Sequence, residues 1–200
     1  MELEKADPSK KNAILQTTLQ LISKEGFDAV TIRKIAKHAE VNVALVNYYF
    51  GSKNKLLNEA LKVILSSLKD AFILLENKEL DPKARIKQFL IQYVAVYQAY
   101  PSIRYLFLDQ STYEFDSQKD YMNFIRSLGL EKLGQTIREI TGEPDERKCM
   151  VMVSQLLGAT FLPMIIAPMV KDATTFQLPD PEKHVELLLD HYFNRYQQFL

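Results

Sequence analysis

Residues 31–50 read TIRKIAKHAEVNVALVNYYF and decide the fold. Thr31 stands before an apolar stripe with the i, i+3, i+4, i+7 spacing of a helix, and a hydroxyl there can cap the free N–H groups of the first turn. The stripe consists of Ile32, Ile35, Ala36 and Ala39. Asn42 is a second cap, placed after a turn of about three residues. The stretch therefore predicts two helices joined as a helix-turn-helix.

The second helix of this motif is only about two turns long, and a helix of that length is unstable in water unless one side is packed. We expect the packed side to consist of Val41, Val46 and Phe50. The outward side then consists of Val43, Ala44, Leu45, Tyr48 and Tyr49. In a DNA major groove, methyl groups of this kind meet thymine methyls and hydroxyls reach phosphates. The pattern therefore favours a DNA-reading helix.

The distribution of charge agrees with that interpretation. The chain has 25 basic and 25 acidic residues, so its net charge does not by itself indicate nucleic acid. Residues 9–55 nevertheless contain eight basic and three acidic residues, a local charge of +5. A solvated charged face is the simpler interpretation of the charge alone, but beside a helix-turn-helix the patch is the footprint of phosphate contacts. Lys53 also begins a helix, where the backbone N–H groups favour an anion.

The remaining chain predicts further helices. Apolar residues recur at helical spacing over most of its length, and no window alternates as a β-strand does. We therefore expect an all-α protein. Its predicted parts are a flexible N-terminus at residues 1–8, a three-helix helix-turn-helix domain at residues 9–56, and a larger helical domain at residues 57–200.

Three motifs carry a resemblance to a known family: Gly26-Phe27, Thr31-x-Arg33-x-Ile35-Ala36, and Tyr49-Phe50-x-Ser52-Lys53-x-x-Leu56. With them, residues 10–57 resemble the DNA-binding domain of the TetR family of bacterial transcriptional regulators. The resemblance implies a ligand-responsive transcriptional regulator, most often a repressor, in which the C-terminal helical domain binds an effector and dimerises. It also implies a homodimer whose two reading helices enter successive major grooves of a near-palindromic double-stranded DNA operator, with half-sites about 34–36 Å apart or a multiple of it.

The resemblance also implies roles for individual residues. Thr31 and Arg33 would contact DNA backbone or bases from the first helix of the motif. The residues that would face bases are Asn42, Val43, Ala44 and Tyr48. Tyr49 and Lys53 would hold phosphates.

Two positions depart from the pattern of the family. Glu40 occupies the turn where the family usually has glycine, and a left-handed backbone there would cost a non-glycine residue ~1 kcal/mol. Asn47 occupies a position where tyrosine is common, which puts one phosphate contact in question. An asparagine at that place can instead read adenine or cap a neighbour.

The second domain shows no recognisable chemistry, and its roles come from the resemblance. The apolar segment at residues 149–167 and the amphipathic segment at residues 185–200 fit the two long helices through which such dimers form. For an effector pocket we consider the aromatic and methionine side chains Tyr93, Tyr97, Phe107, Tyr121, Phe124, Met152 and Phe161. Aromatic and methionine side chains at helical spacing belong to the protein core more often than to a ligand pocket. Effector pockets are themselves largely apolar, so these residue types fit either place.

Several functional classes are disfavoured. The single cysteine, Cys149, excludes an intramolecular disulfide framework and a multi-cysteine zinc site, and it reads as a buried, inert thiol. The three histidines form no convincing metal or base constellation, and no phosphate-binding glycine loop or nucleophile elbow is present. We therefore expect no enzymatic activity, no cofactor and no metal.

Residues 150–170 approach the length of a membrane span, but Pro163 and Gln155 favour a buried or interface helix. The N-terminus has no apolar signal region, so a cytoplasmic location is expected.

Two hypotheses remain. The first is the dimeric, effector-responsive DNA-binding regulator described above. The second is a helical small-molecule-binding or interaction protein whose DNA-binding head no longer functions, and Glu40 and Asn47 keep that alternative open. A steep salt dependence of the affinity for duplex DNA would separate the two.

Overall fold

The computed structural model describes residues 7–103, 115–170 and 180–196 of the 200-residue chain. These ranges contain helices, turns and short connections but no β-strand, so the predicted all-α class is confirmed. The α-helices are α1 (Pro8–Glu25), α2 (Ile32–His38), α3 (Val43–Phe50), α4 (Lys53–Ala71), α5 (Pro82–Ala99), α6 (Asp116–Phe124), α7 (Leu130–Thr141), α8 (Glu146–Val170) and α9 (Pro181–Tyr196).

Each of the first three helices begins at a side-chain cap. The carboxylate of Asp7 accepts from the Ser9 N–H, with Pro8 at the first helical position of α1. The Thr31 hydroxyl accepts from the Lys34 N–H at the start of α2, as the sequence predicted. The Asn42 amide oxygen accepts from the Leu45 N–H at the start of α3, which confirms the second predicted cap. Local sequence therefore sets where all three helices begin.

The three helices pack on one another around a small apolar core. Ile14 and Ile22 of α1, Ile35 of α2 and Val46 of α3 are fully buried. Phe50 is buried as well, whereas Val41 is half-buried. The helix-turn-helix predicted from residues 31–50 is thereby confirmed.

The turn between α2 and α3 contains the left-handed backbone that the resemblance implied at Glu40. Glu40 has φ 55°, and it is the one non-glycine residue with positive φ in the described ranges. The turn is held on both sides of Glu40, since the Glu40 N–H donates to Lys37 O and the Val41 N–H donates to Ala36 O at 2.9 Å. These bonds keep the residue in a conformation that glycine would adopt at lower cost.

Two segments depart from the simple helices that the periodicity predicted. Helix α4 is followed by a 3₁₀ segment at Phe72–Glu76, and α6 joins α7 through a π-helical segment at Ile125–Gly129. Gly129 is buried, and a Cβ atom there would lie 3.1 Å from the Phe72 ring. The glycine therefore permits close packing of the π-helical segment on Phe72.

Contacts divide the chain into two units. The first comprises Met1–Ser66 and Tyr97–Asp120, and the second comprises Ser67–Val96 and Tyr121–Leu200. In the second unit α7 packs on α8, and α8 packs on α9. The functional boundary that we predict at residues 56 and 57 remains a prediction.

Helix α8 leaves much of its apolar surface uncovered. Cys149, Val153 and Leu156 are buried, while Val151 and Leu162 are each 54% exposed. By length and composition alone, Glu146–Ala167 could cross a membrane, and it is the one such helix in the described ranges. Only 22% of the most apolar 18-residue segment of this helix is buried within the single chain. The burial of Cys149 agrees with the inert thiol predicted from the sequence.

Replacing Glu40 with glycine should stabilise the protein, because glycine adopts φ 55° without a steric penalty. We expect a gain of roughly 0.5–1 kcal/mol in the free energy of unfolding, measured by urea denaturation. The matched control is Lys37→Gly at an exposed position within α2, which should cost about 1 kcal/mol. Equal destabilisation by both substitutions would show that the turn is unstrained.

Candidate nucleic-acid interface

Helix α3 presents a continuous exposed face. Val43 is 40% exposed and Tyr48 is 55% exposed, both high values for large apolar or aromatic side chains. Asn42, Ala44 and Asn47 are exposed beside them. All five residues predicted to face bases, with Asn47 included, therefore lie at the surface of the helix. Leu45 and Tyr49, which the sequence also placed outward, are half-buried.

The two caps at this surface retain polar atoms for a partner. The Asn42 side-chain oxygen is held by the Leu45 N–H at 2.7 Å, which leaves its amide N–H groups as donors. The Thr31 hydroxyl accepts from the Lys34 N–H at 3.2 Å and keeps its own proton to donate. A phosphate oxygen only accepts hydrogen bonds, so both residues can cap a helix and contact DNA backbone at the same time.

Tyr49 makes a different set of contacts. Its hydroxyl accepts from the Asp7 N–H at 2.9 Å and donates to the Asp7 carbonyl at 3.0 Å. The ring of Tyr49 lies edge-on to that of Tyr48, with centroids 5.2 Å apart. Since the hydroxyl proton is engaged inside the protein, a phosphate contact by Tyr49 requires that the bond to Asp7 be broken.

The basic side chains of the predicted helix-turn-helix domain, residues 9–56, differ in whether they are already paired within the protein. Lys34 donates to Glu25 at 2.6 Å and to the Ala29 carbonyl at 3.0 Å. The hydrogen bond from Lys34 lowers the pKa of the Glu25 carboxyl. Lys34 is therefore held within the protein. Other basic side chains near the motif include Arg33, Lys37 and Lys55, which are exposed, and Lys53, which is half-buried at the first position of α4.

These groups together offer methyl, aromatic and amide contacts along α3, with hydroxyl and cationic groups at its edges. That combination serves base-edge and phosphate recognition of duplex DNA. In the three described ranges, no group of three or more His, Cys, Asp or Glu side chains is arranged to hold a metal ion. The arrangement along α3 offers groups suited to binding.

Four of the predicted ligand residues lie in one aromatic cluster of the second unit. Tyr93 contacts Phe161, and Tyr121 contacts Phe124, with ring centroids 5.2 and 6.4 Å apart. Phe72 joins the cluster through edge-on contacts with Tyr93 and Phe124. The hydroxyls of Tyr93 and Tyr121 hydrogen-bond to each other. Burial raises the pKa of Tyr93 well above its ordinary value, and the neighbouring Tyr121 adds to the shift. The Tyr93 hydroxyl therefore stays neutral.

The other three ligand candidates are placed differently. Tyr97 is half-buried on α5 and belongs to the first unit, whereas the aromatic cluster belongs to the second. Met152 is half-buried on α8, and its carbonyl accepts from the Tyr192 hydroxyl at 2.7 Å. Phe107 lies outside the described residues.

A cavity of about 230 Å³ opens elsewhere in the second unit. None of the predicted ligand residues that the structure describes lines it. Its central group is Arg85, which is 2% exposed, donates to the Leu75 carbonyl at 2.8 Å and pairs with Glu139. Lys78 also bonds Glu139, at 2.9 Å. Sequence reasoning missed this network, because a single arginine on an otherwise apolar helix face gives no clear signal of its partners.

Comparison with known proteins identifies the head. Residues 14–60 match the model of the family described as "Bacterial regulatory proteins, tetR family". The HTH-type transcriptional regulator BetI of Rhizobium meliloti is 31% identical over 84 residues, which cover 42% of this chain and 41% of that relative. The HTH-type transcriptional repressor NicS of Pseudomonas putida is 33% identical over 87 residues, with 44% and 41% covered. The matched region thus spans about two-fifths of the length of these relatives.

Solved structures extend the likeness to the whole chain at the level of fold. The TetR family regulator PfmR from Thermus thermophilus has a TM-score of 0.66 and 18% identity, covering 90% of this chain and 97% of that one. A TetR/AcrR family regulator from Thermobifida fusca has a TM-score of 0.68 and 18% identity, covering 94% and 98%. At these identities the comparison shows a shared all-α fold.

The Glu139 network gives a pH-dependent prediction. Hydrogen bonds from Arg85 and then Lys78 lower the pKa of Glu139 from its ordinary value of 4.5. The ionised carboxylate therefore stabilises the fold above pH 4.5, and that stabilisation is lost as the pH falls through the lowered pKa. Glu139→Gln should lower the free energy of unfolding by about 1 kcal/mol at pH 7, after allowance for partial exposure, and by less at pH 3, which lies below the ordinary pKa of the carboxyl. Urea unfolding at both pH values tests this. A difference that does not change with pH would contradict the ionic origin of the contact.

Proposed function

We propose that this chain, which carries the DNA-binding domain of the TetR family over residues 14–60, is a dimeric transcriptional regulator. It binds a near-palindromic DNA operator, most simply as a repressor, and a small-molecule effector releases it. The observation that supports this most strongly is the exposed face of α3, presented by a capped helix-turn-helix in the region that matches the family. We place its action in the cytoplasm and assign it no catalytic step.

The exposed groups suggest separate roles in DNA binding. Asn42, Val43, Ala44, Asn47 and Tyr48 face bases. Arg33 and Lys53 neutralise phosphates, and the Thr31 hydroxyl adds a neutral phosphate contact. Base contacts set sequence preference, whereas phosphate contacts set affinity and its dependence on salt. The DNA-binding domain on this proposal is residues 9–56, preceded by a short N-terminal segment at residues 1–8.

Dimerisation through α8 and α9 would cover apolar surface that one chain leaves in water. Val151, Leu162 and Ile166 of α8 and Leu187 of α9 are all at least 38% exposed. Exposed large apolar side chains on two helices that pack on each other are typical of a protein–protein contact. A two-fold dimer would also place two α3 helices on half-sites about 34–36 Å apart or a multiple of it.

Effector binding belongs on this proposal to residues 57–200. The aromatic cluster around Tyr93 and Tyr121 is the candidate site, because it joins a largely apolar lining with two hydroxyls that can re-pair with a ligand. Release from DNA then requires that the effector favour one arrangement of the dimer over another. A coupling free energy of about 1–3 kcal/mol is typical of such regulation.

Selection of bound duplexes from a randomised DNA pool tests the function directly. The wild-type chain should enrich an inverted repeat. A Tyr48→Ala, Lys53→Ala double variant should enrich none, because it loses one base contact and one phosphate contact without disturbing the core. A soluble wild-type dimer that binds duplexes no better than the variant would favour the alternative of a ligand-binding protein with an inactive head.

The dimer contact has its own test. Leu162→Glu should convert the protein from dimer to monomer, because two copies would each bury a charge in place of an apolar side chain. The lost burial alone is worth about 1.5–3 kcal/mol per copy, so the dissociation constant should rise at least about 100-fold. Light scattering after size-exclusion chromatography measures the mass. Ile73→Glu, at a 60% exposed apolar residue away from α8 and α9, is the matched control and should leave the dimer intact. Loss of the dimer in the control alone would move the interface to another face.

A further inference from the structure

We infer that Tyr49 acts on DNA indirectly: its hydroxyl fixes the first turn of α1 beside α3, and Lys11 on that turn makes the phosphate contact. The inference rests on the proposed function, since it names how the same interface holds the DNA backbone. It changes the role that the resemblance implies for Tyr49 and adds Lys11 as a binding residue.

The hydroxyl of Tyr49 is fully engaged by a residue 42 positions away. It accepts from the Asp7 N–H at 2.9 Å and donates its proton to the Asp7 carbonyl at 3.0 Å. A phosphate oxygen can only accept a hydrogen bond, and a phenol has one proton to donate. A direct contact with phosphate would therefore leave the half-buried Asp7 carbonyl without this donor. The geometry favours a structural use of the hydroxyl.

Asp7 in turn organises the start of α1. Its carboxylate accepts from the Ser9 N–H at 2.9 Å, and this hydrogen bond lowers the pKa of Asp7. Its carbonyl accepts from the N–H groups of Lys10 and Lys11 at 3.1 and 3.3 Å. The Asp7 carbonyl oxygen thus accepts both from the first turn of α1 and from the Tyr49 hydroxyl. Fixing Asp7 fixes the turn that carries Lys11.

Lys11 is the cation that this arrangement brings to the edge of α3. Its Nζ lies 5.7 Å from the ring centroid of Phe50, the last residue of α3. The side chain is otherwise exposed, so its ammonium remains open to an anion. A cation held at the border of a DNA-reading helix faces the path of the DNA backbone when that helix enters the major groove. Lys34, by contrast, is already paired with Glu25.

A double-mutant cycle on the full-length protein tests the link. The variants are Tyr49→Phe, Lys11→Gln and the pair together, and the probe is the duplex that the wild-type chain enriches. Each single substitution should weaken binding by about tenfold. If Tyr49 acts through Lys11, the double variant should bind within about twofold of Lys11→Gln alone. Lys24→Gln, at the opposite end of α1, should leave the affinity unchanged.

The salt dependence separates an indirect role from a direct one. Each substitution removes one ionic phosphate contact per protomer, and so two per dimer. The slope of log K against log salt should therefore fall by about 1.8, for Tyr49→Phe as well as for Lys11→Gln. A neutral hydroxyl that touched phosphate directly would lower affinity without changing the slope. Additive effects in the cycle, or an unchanged slope for Tyr49→Phe, would overturn the inference.

The internal contact can be tested without DNA. Tyr49→Phe should speed hydrogen exchange of the Lys10 and Lys11 amides, whereas Tyr48→Phe, which removes a neighbouring exposed hydroxyl, should not. Unchanged exchange in Tyr49→Phe would refute the structural use of the hydroxyl. If the wild-type chain bound no duplex at all, the proposed function would fail and the phosphate role of Lys11 with it. The exchange measurement would still decide the role of Tyr49 within the fold.

Discussion

The burial of Val46 and Phe50 is the constraint on which the interface depends. Helix α3 has eight residues, too few to persist in water by propensity alone. It exists because these two side chains leave water against α1 and α2, and because Asn42 and Gly51 satisfy its ends. One side of so short a helix is thereby fully occupied by packing. The other side is held rigidly while its side chains remain exposed, which is what a reading surface requires.

The polar residues around α3 are divided between holding the fold and meeting a partner. Thr31 and Asn42 each satisfy a helix end with one atom and keep another for a partner. Tyr49 keeps none, because both its donor and its acceptor capacity go to Asp7. Lys34 is likewise held by Glu25 and the Ala29 carbonyl. Residue type alone therefore does not show which of these groups are available to a partner; the hydrogen bonds that each already makes within the fold show it.

The sequence predicts features set by neighbouring residues, but it does not predict contacts between residues that lie far apart in the chain. Caps and apolar periodicity are local, so the first three helices follow from residues close together in the chain. The left-handed backbone at Glu40 follows from the family resemblance, which implies a glycine-like turn at that position. The contact between Tyr49 and Asp7 spans 42 positions, and nothing in the local pattern of either residue indicates the other. Gly129 shows the same limit, since its role depends on the Phe72 ring from a distant segment. The pairing of Arg85 with Glu139 also needs the fold before it can be seen. The sequence singles out aromatic residues for a ligand pocket, which stays a prediction, but nothing in it indicates that the hydroxyls of Tyr93 and Tyr121 pair with each other.

The distribution of charge limits how the protein can attract DNA. The chain is neutral overall, yet residues 9–55 carry +5, so the remaining residues carry the compensating negative charge. A neutral protein gains little from long-range attraction to DNA, and screening at physiological salt confines the attraction to about 8 Å. Binding then depends on cations that touch phosphates directly. Arg33, Lys53 and Lys11 are placed for this, with Lys37 and Lys55 exposed nearby. Since each such contact contributes about 0.9 to the salt slope, a few lysines and arginines per protomer would, on the proposed function, set both the strength of binding and the ease with which an effector can reverse it.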